Sequence, residues 1–152
     1  MTRKYLESAG GFGARCERKT VAFTGGAGLG QVGTVALFTV TGAALVKLSC
    51  VCTESLVEGV GGGTLEVGIN GATAVLIAQA TSTDIDAGDV WHDAAPDAAI
   101  ELASVLDATA YVILGNGQDI YATVGTQAIT DGTLVFNAFW TPLTDTSLVV
   151  AA

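Results

Sequence analysis

Apolar residues in this chain recur mostly at every second position, the period of a strand with one buried face. Thr64–Ala80 carries the pattern: Leu65, Val67 and Ile69 fall on one face, and Thr64, Glu66, Gly68 and Asn70 on the other. Asn70-Gly71 follows at once. It is the strongest short-range hairpin signal, because both central residues of a type I′ turn need positive φ, which Asn and Gly tolerate. Thr73–Ala80 then returns as a second apolar, β-branched run. Asn116-Gly117 and Asp131-Gly132 repeat the device and predict further antiparallel hairpins.

Other segments extend the pattern. Thr20–Thr24 begins the strands, Gly25–Gly33 is a glycine-rich loop, and Thr34–Thr41 and Ala44–Cys52 read as strands. Thr53–Gly63 is a flexible connection. Thr81–Asp93 breaks the alternation: Thr83-Asp84 can cap a short helical turn through Asp86, and Val90–His92 then pairs briefly. Ala98–Leu106, Thr109–Leu114, Asp119–Thr126 and Thr133–Trp140 resume it. In the last, Leu134, Phe136, Ala138 and Trp140 face one way and Val135, Asn137 and Phe139 the other, so cover on both sides is expected. Pro142 ends it, having no N–H for a ladder. About eight to ten short strands, with turn signals at sandwich-like spacing, predict an all-β chain. The expected form is an antiparallel β-sandwich, jelly-roll-like or Greek-key.

Composition and charge divide this picture in two. At 152 residues, half of them apolar, the chain can build one core. Its net charge of −9 is unevenly spread. Arg3, Lys4, Arg15, Arg18 and Lys19 are five of the six basic residues; after Lys47 come thirteen Asp and Glu and no Lys or Arg. The division expected is a basic, extended N-terminal arm over residues 1–19 and a sandwich domain over 20–152. The acidic body cannot neutralise phosphates, which argues against a nucleic-acid partner. Thr20–Val46 is uncharged over 27 residues but holds six Gly and five Thr, so it makes a poor membrane span. The opening MTRKYLESAGG lacks the apolar run of a signal peptide.

Candidate chemistry adds little. Cys50 and Cys52 share a strand face with Val46 and Leu48, while Lys47 and Ser49 face away; the pair reads as small buried hydrophobes. Gly28, Gly30 and Gly33 match G-x-G-x-x-G, but Thr34–Thr41 after them favours a strand where nucleotide binding needs a helix. Asp84, Asp86 and Asp89 fail the calcium-loop pattern, since the later positions fall on Gly88, Asp89 and Ala95; a looser calcium site stays open. His92 is the sole histidine, without a nucleophile elbow. The expectation is a non-enzymatic protein with no catalytic residue, cofactor or metal ligand.

A resemblance then enters. FTGGAGLGQVGTVALFTVTG at Phe23–Gly42, TSTDIDAGDVWHD at Thr81–Asp93 and FWTPL at Phe139–Leu143 resemble a group of small tailed-bacteriophage virion proteins. The likeness spans Val21–Leu143 and leaves the arm outside. It implies a capsid decoration (cement) protein, a β-sandwich on the major capsid protein lattice, commonly a homotrimer. The implied place is the capsid exterior of the virion, after synthesis in the bacterial host cytoplasm. Docking is expected through the arm, with Arg3, Lys4, Tyr5, Arg15, Arg18 and Lys19 as its contacts. Two other readings stay open: a head-fibre base, neck or tail component, or a carbohydrate or host-recognition module. The last would display an aromatic side chain from among Trp91, Tyr111 and Tyr121.

Overall fold

A computed structural model describes residues 15–96 and 111–152; the arm residues Arg3, Lys4 and Tyr5 and the expected strand Ala98–Leu106 lie outside them. The described strands are β1 (Arg15–Ala22), β2 (Gly33–Thr41), β3 (Ala44–Glu58), β4 (Thr64–Ile69), β5 (Ala72–Thr81), β6 (Val90–Trp91), β7 (Val112–Leu114), β8 (Ile120–Gly125), β9 (Ile129–Pro142) and β10 (Leu148–Ala151). The first sheet runs β1-β9-β3-β6, with β7 also on β3, and the second runs β10-β2-β8-β4-β5. The chain is all-β, and every pairing between the described strands is antiparallel.

The pairings nest. β1 joins β9, β2 joins β8, β3 joins β6, and β4 joins β5. A long hairpin folded across two sheets gives this order, which is the jelly-roll form of a Greek-key sandwich. β7 and β10 are additions on β3 and β2. The innermost pair, β4–β5, is the hairpin at Asn70-Gly71.

Inward residues of both sheets merge into one core. Val35, Phe38, Leu65, Val67 and Ile120 come from the second sheet; Leu48, Cys50, Leu134, Phe136 and Trp140 come from the first. Cross-strand register explains the match: Phe136 lies opposite Cys50, Ala138 opposite Leu48, and Trp140 opposite Val46. Burying each large side chain contributes about 1.5–3 kcal/mol. The outer face of β9 is covered only in part: Asn137 is 8% exposed, whereas Val135 and Phe139 on the same face are half-buried. Lys47, on that same face of the sheet, is only 7% exposed, so it faces away from the core without facing water.

Several turns differ from expectation. Asn70-Gly71 joins β4 to β5, but Gly71 alone of the two has positive φ, +84°, so the turn is not type I′. β5 then slips against β4: Ile69 pairs with Ala72, Val67 with Ile77 and Leu65 with Ala80. The slack passes over Gly68, where a Cβ would lie 2.6 Å from the carbonyl carbon of Thr73. Asn116-Gly117 does turn, with the Gln118 N–H donating to Gly115 O at 3.1 Å, but it carries the chain from β7 in one sheet to β8 in the other. Asp131-Gly132 is no turn. It lies inside β9 where β3 bulges between Glu54 and Glu58, and Gly132 takes φ +105° there. Positive φ suits a bulge as well as a turn, so the dipeptide alone could not choose. The helical turn falls at Ser82–Asp84, and Thr81 precedes it without a side-chain cap.

The boundary of the basic arm also moves. β1 starts at Arg15, not Thr20, because Arg15–Lys19 continue the ladder with β9. The uncharged stretch Thr20–Val46 is strand and loop, and among the described residues no helix is long and apolar enough to cross a membrane.

Candidate functional site

Three of the six residues expected to dock are committed to the sandwich. On β1, Arg15, Glu17, Lys19 and Val21 lie opposite the core-facing Trp140, Ala138, Phe136 and Leu134. The side chains on this edge strand therefore point inward, where charge guards an open edge. Arg15 sits 4.9 Å above the Trp140 ring centroid. The Lys19 ammonium donates to the Ala152 carbonyl, and the Ala151 N–H donates to Glu17 Oε1 at 3.4 Å, so β1 is latched to β10 of the other sheet. Arg18 points outward and its Nε–H donates to Asn137 Oδ1 at 2.9 Å.

The glycine-rich loop leads into β2, a strand, as its sequence predicts. Two of its glycines, Gly25 and Gly30, lie against β9. The Ile129 N–H donates to Gly30 O at 2.8 Å, and Gly30, at φ +112°, leaves no room for a Cβ beneath the Ile129 carbonyl. The acidic loop likewise straps a strand: the Leu56 N–H donates to Ile85 O, the Cys52 N–H to Asp89 O, and the Gly88 N–H to Cys52 O. Asp89 Oδ2 accepts from the Asp86 N–H at 2.9 Å. Among the described residues no three His, Cys, Asp or Glu side chains gather as a metal-ligand set.

Burial sorts the thiols. Cys50 and Cys52 are buried and Cys16 is exposed. Desolvation by burial, reinforced by the neighbouring Cys52, pushes the Cys50 thiol well up. Burial also raises Cys52 to about 11, against the lowering effect of a bond to the Glu54 carbonyl. Glu58 moves the other way. The Ser82 hydroxyl donates to its Oε2 at 2.6 Å and the Gly62 N–H to its Oε1 at 2.6 Å, and these bonds hold the carboxyl below its usual range.

The aromatic candidates part company. Trp91 is fully buried opposite Cys50, and its Nε1 has no hydrogen-bond partner among the described residues. His92 beside it is also buried. Tyr111 is exposed and holds the Lys47 ammonium 5.2 Å from its ring centroid. Tyr121 is half-buried on the outer face of β8, in a cleft of about 320 Å³ lined by Thr34, Ile69, Asn70, Thr73, Tyr121 and Thr123. Thr34 pairs with Thr123 across β2–β8, and Tyr121 is flanked by Ala36 and Gly68. Gly68 and the slack in β5 bring Asn70 and Thr73 up as a wall. Only Tyr121 of this set was legible as a candidate in the sequence. Nothing local announced the β5 bulge.

No protein-family model matches the chain, and neither a curated protein nor a solved structure matches it.

Proposed function

We propose that this chain is a non-catalytic virion protein that decorates the capsid exterior, binding the major capsid protein lattice as a homotrimer. Support comes from the likeness of Phe23–Gly42, Thr81–Asp93 and Phe139–Leu143 to small tailed-phage virion proteins. Jelly rolls occur in viral capsid and lectin domains alike, so the fold suits this reading without selecting it.

The observation that carries the reading furthest is an apolar end of the sandwich. Leu29, Val32, Val57 and Val60 are exposed, at 45, 53, 48 and 78%. The segments that carry them meet β9 at Ile129–Asp131: the Ile129 N–H donates to Gly30 O, the Thr130 hydroxyl donates to Val57 O, and Glu58 lies opposite Ile129. Clustered exposed apolar side chains mark a contact surface. Glu54, Glu58 and Asp131 rim this end, so a basic patch on the capsid protein is its complement. Residues 1–14, with Arg3, Lys4 and Tyr5, supply the second attachment. A trimer would hold three such ends and three arms at high local concentration.

The test is binding of the full chain to capsids that lack it. Val57→Asp with Val60→Asp should abolish decoration while leaving the circular dichroism spectrum unchanged. Decoration at the level of the unaltered chain would exclude this end as the docking surface.

A further inference from the structure

We infer that the Tyr121 cleft on the outer face of the second sheet is a binding site for a neutral saccharide. This goes beyond capsid docking, which is placed at the end of the sandwich. It holds whether or not that reading stands.

The lining dictates the ligand class. None of the six lining residues carries a charge. The chain as a whole is acidic, at net −9, and the cleft offers no cation, so anionic ligands are disfavoured. An apolar ligand would cover three hydroxyls of threonine, the Asn70 amide and the Tyr121 phenol and leave them unpaired, at the cost of their desolvation. A polyhydroxylated neutral ring answers both conditions. Its hydroxyls can pair with Thr34, Thr123, Thr73 and Asn70, and its C–H face can lie on the Tyr121 ring, an amphipathic surface.

Four further features fit. Among the described residues, no side-chain hydrogen bond engages Thr34, Asn70, Thr73, Tyr121 or Thr123, so their donors and acceptors are unspent. Tyr121 is flanked by Ala36, a small residue, across β2–β8 and by Gly68 across β4–β8, over which the β5 backbone passes to form the wall. The wall is built by a bulge, a device that re-aims side chains beside sites. A volume of about 320 Å³ reaches the size of small-molecule sites. Next to the cleft, Glu66 lies opposite Thr123, but its carboxylate is held by the Gln79 amide at 3.3 Å.

The test is a titration of the full chain, followed by amide chemical shifts, with neutral hexose and N-acetylhexosamine oligosaccharides. Sialyllactose and a sulfated disaccharide serve as anionic probes. The expected result is saturable shifts at Asn70, Thr73, Tyr121 and Thr123 with at least one neutral probe, roughly millimolar in affinity. Tyr121→Ala should weaken it by about tenfold. Thr123→Val keeps the shape, removes one hydroxyl and should weaken it without disturbing the fold, which guards against misfolding of the first variant. Silence with every neutral probe, shifts with the anionic probes alone, or binding unchanged in both variants would overturn the assignment. So would cleft shifts that depend on protein concentration without sugar, which would make the cleft a contact between copies.

Discussion

Glycines mark where single residues decide this fold, and two of them separate steric need from conformational need. Gly132 has φ +105° and backbone atoms of Ser55 and Leu56 within 2.6–2.8 Å of any added Cβ. Gly71 has φ +84° and open space around it. Gly132→Ala should therefore cost roughly 2–4 kcal/mol, strain plus overpacking, while Gly71→Ala should cost about 1–2 kcal/mol from backbone strain alone. Urea unfolding of both variants checks the difference; equal losses would contradict it. Thiol burial gives a second outcome. With Cys50 and Cys52 desolvated, a maleimide should modify Cys16 alone in the native chain and all three thiols after unfolding. Mass spectrometry reads the count. Glu58 gives a third. Its pKa is lower folded than unfolded, so its stabilisation is full above the unfolded value and is lost as pH falls through the folded one. Glu58→Gln should lower stability at neutral pH and differ least from the parent in acid, as measured by denaturant midpoints. The buried cysteines were readable in sequence because Val46, Leu48, Cys50 and Cys52 alternate. The Glu58–Ser82 bond was not, since its partners are 24 residues apart in the chain.

Strands were easier to read than their connections, for a physical reason. Alternation reports which face of a strand is buried: β8 follows it throughout, while β2, β4 and β9 follow it except where a bulge or a doubly covered face interrupts it. It carries no information about which strand pairs with which. Asp-Gly at 131–132 and Asn-Gly at 116–117 provide positive φ, and the fold spends it on a bulge and a sheet crossing. The basic run before Thr20 looked like an arm because its charges obscured the alternation. They sit on an edge strand, where inward charge closes the sandwich against β10. That assignment predicts a contrast between truncations. Removing residues 2–14 should leave the melting temperature close to that of the full chain. Removing residues 2–19 deletes five of the eight β1 residues and should lower it sharply. Equal melting temperatures for the two truncations would show that Arg15–Lys19 contribute nothing to the sheet.

At the scale of the molecule, nested pairing makes the first and last long strands, β1 and β9, neighbours. Such non-local contacts predict slow folding, in the range of milliseconds to seconds. The charge layout also becomes spatial. Arg15 pairs near the Pro142 end of β9, whereas Glu54, Glu58 and Asp131 lie at its Ile129 end, beside exposed Leu29, Val32, Val57 and Val60. An apolar, acid-rimmed end and an outward polar cleft on another face suit a protein whose work is contact. The most direct measurement is cryo-electron microscopy of virions assembled with this chain, compared with virions assembled without it. The account predicts added density on the outer capsid surface, in threefold-related copies, that fits the two-sheet jelly roll with its Val57–Val60 end against the capsid protein. Density confined to the neck or tail, or capsids identical in the two preparations, would contradict it.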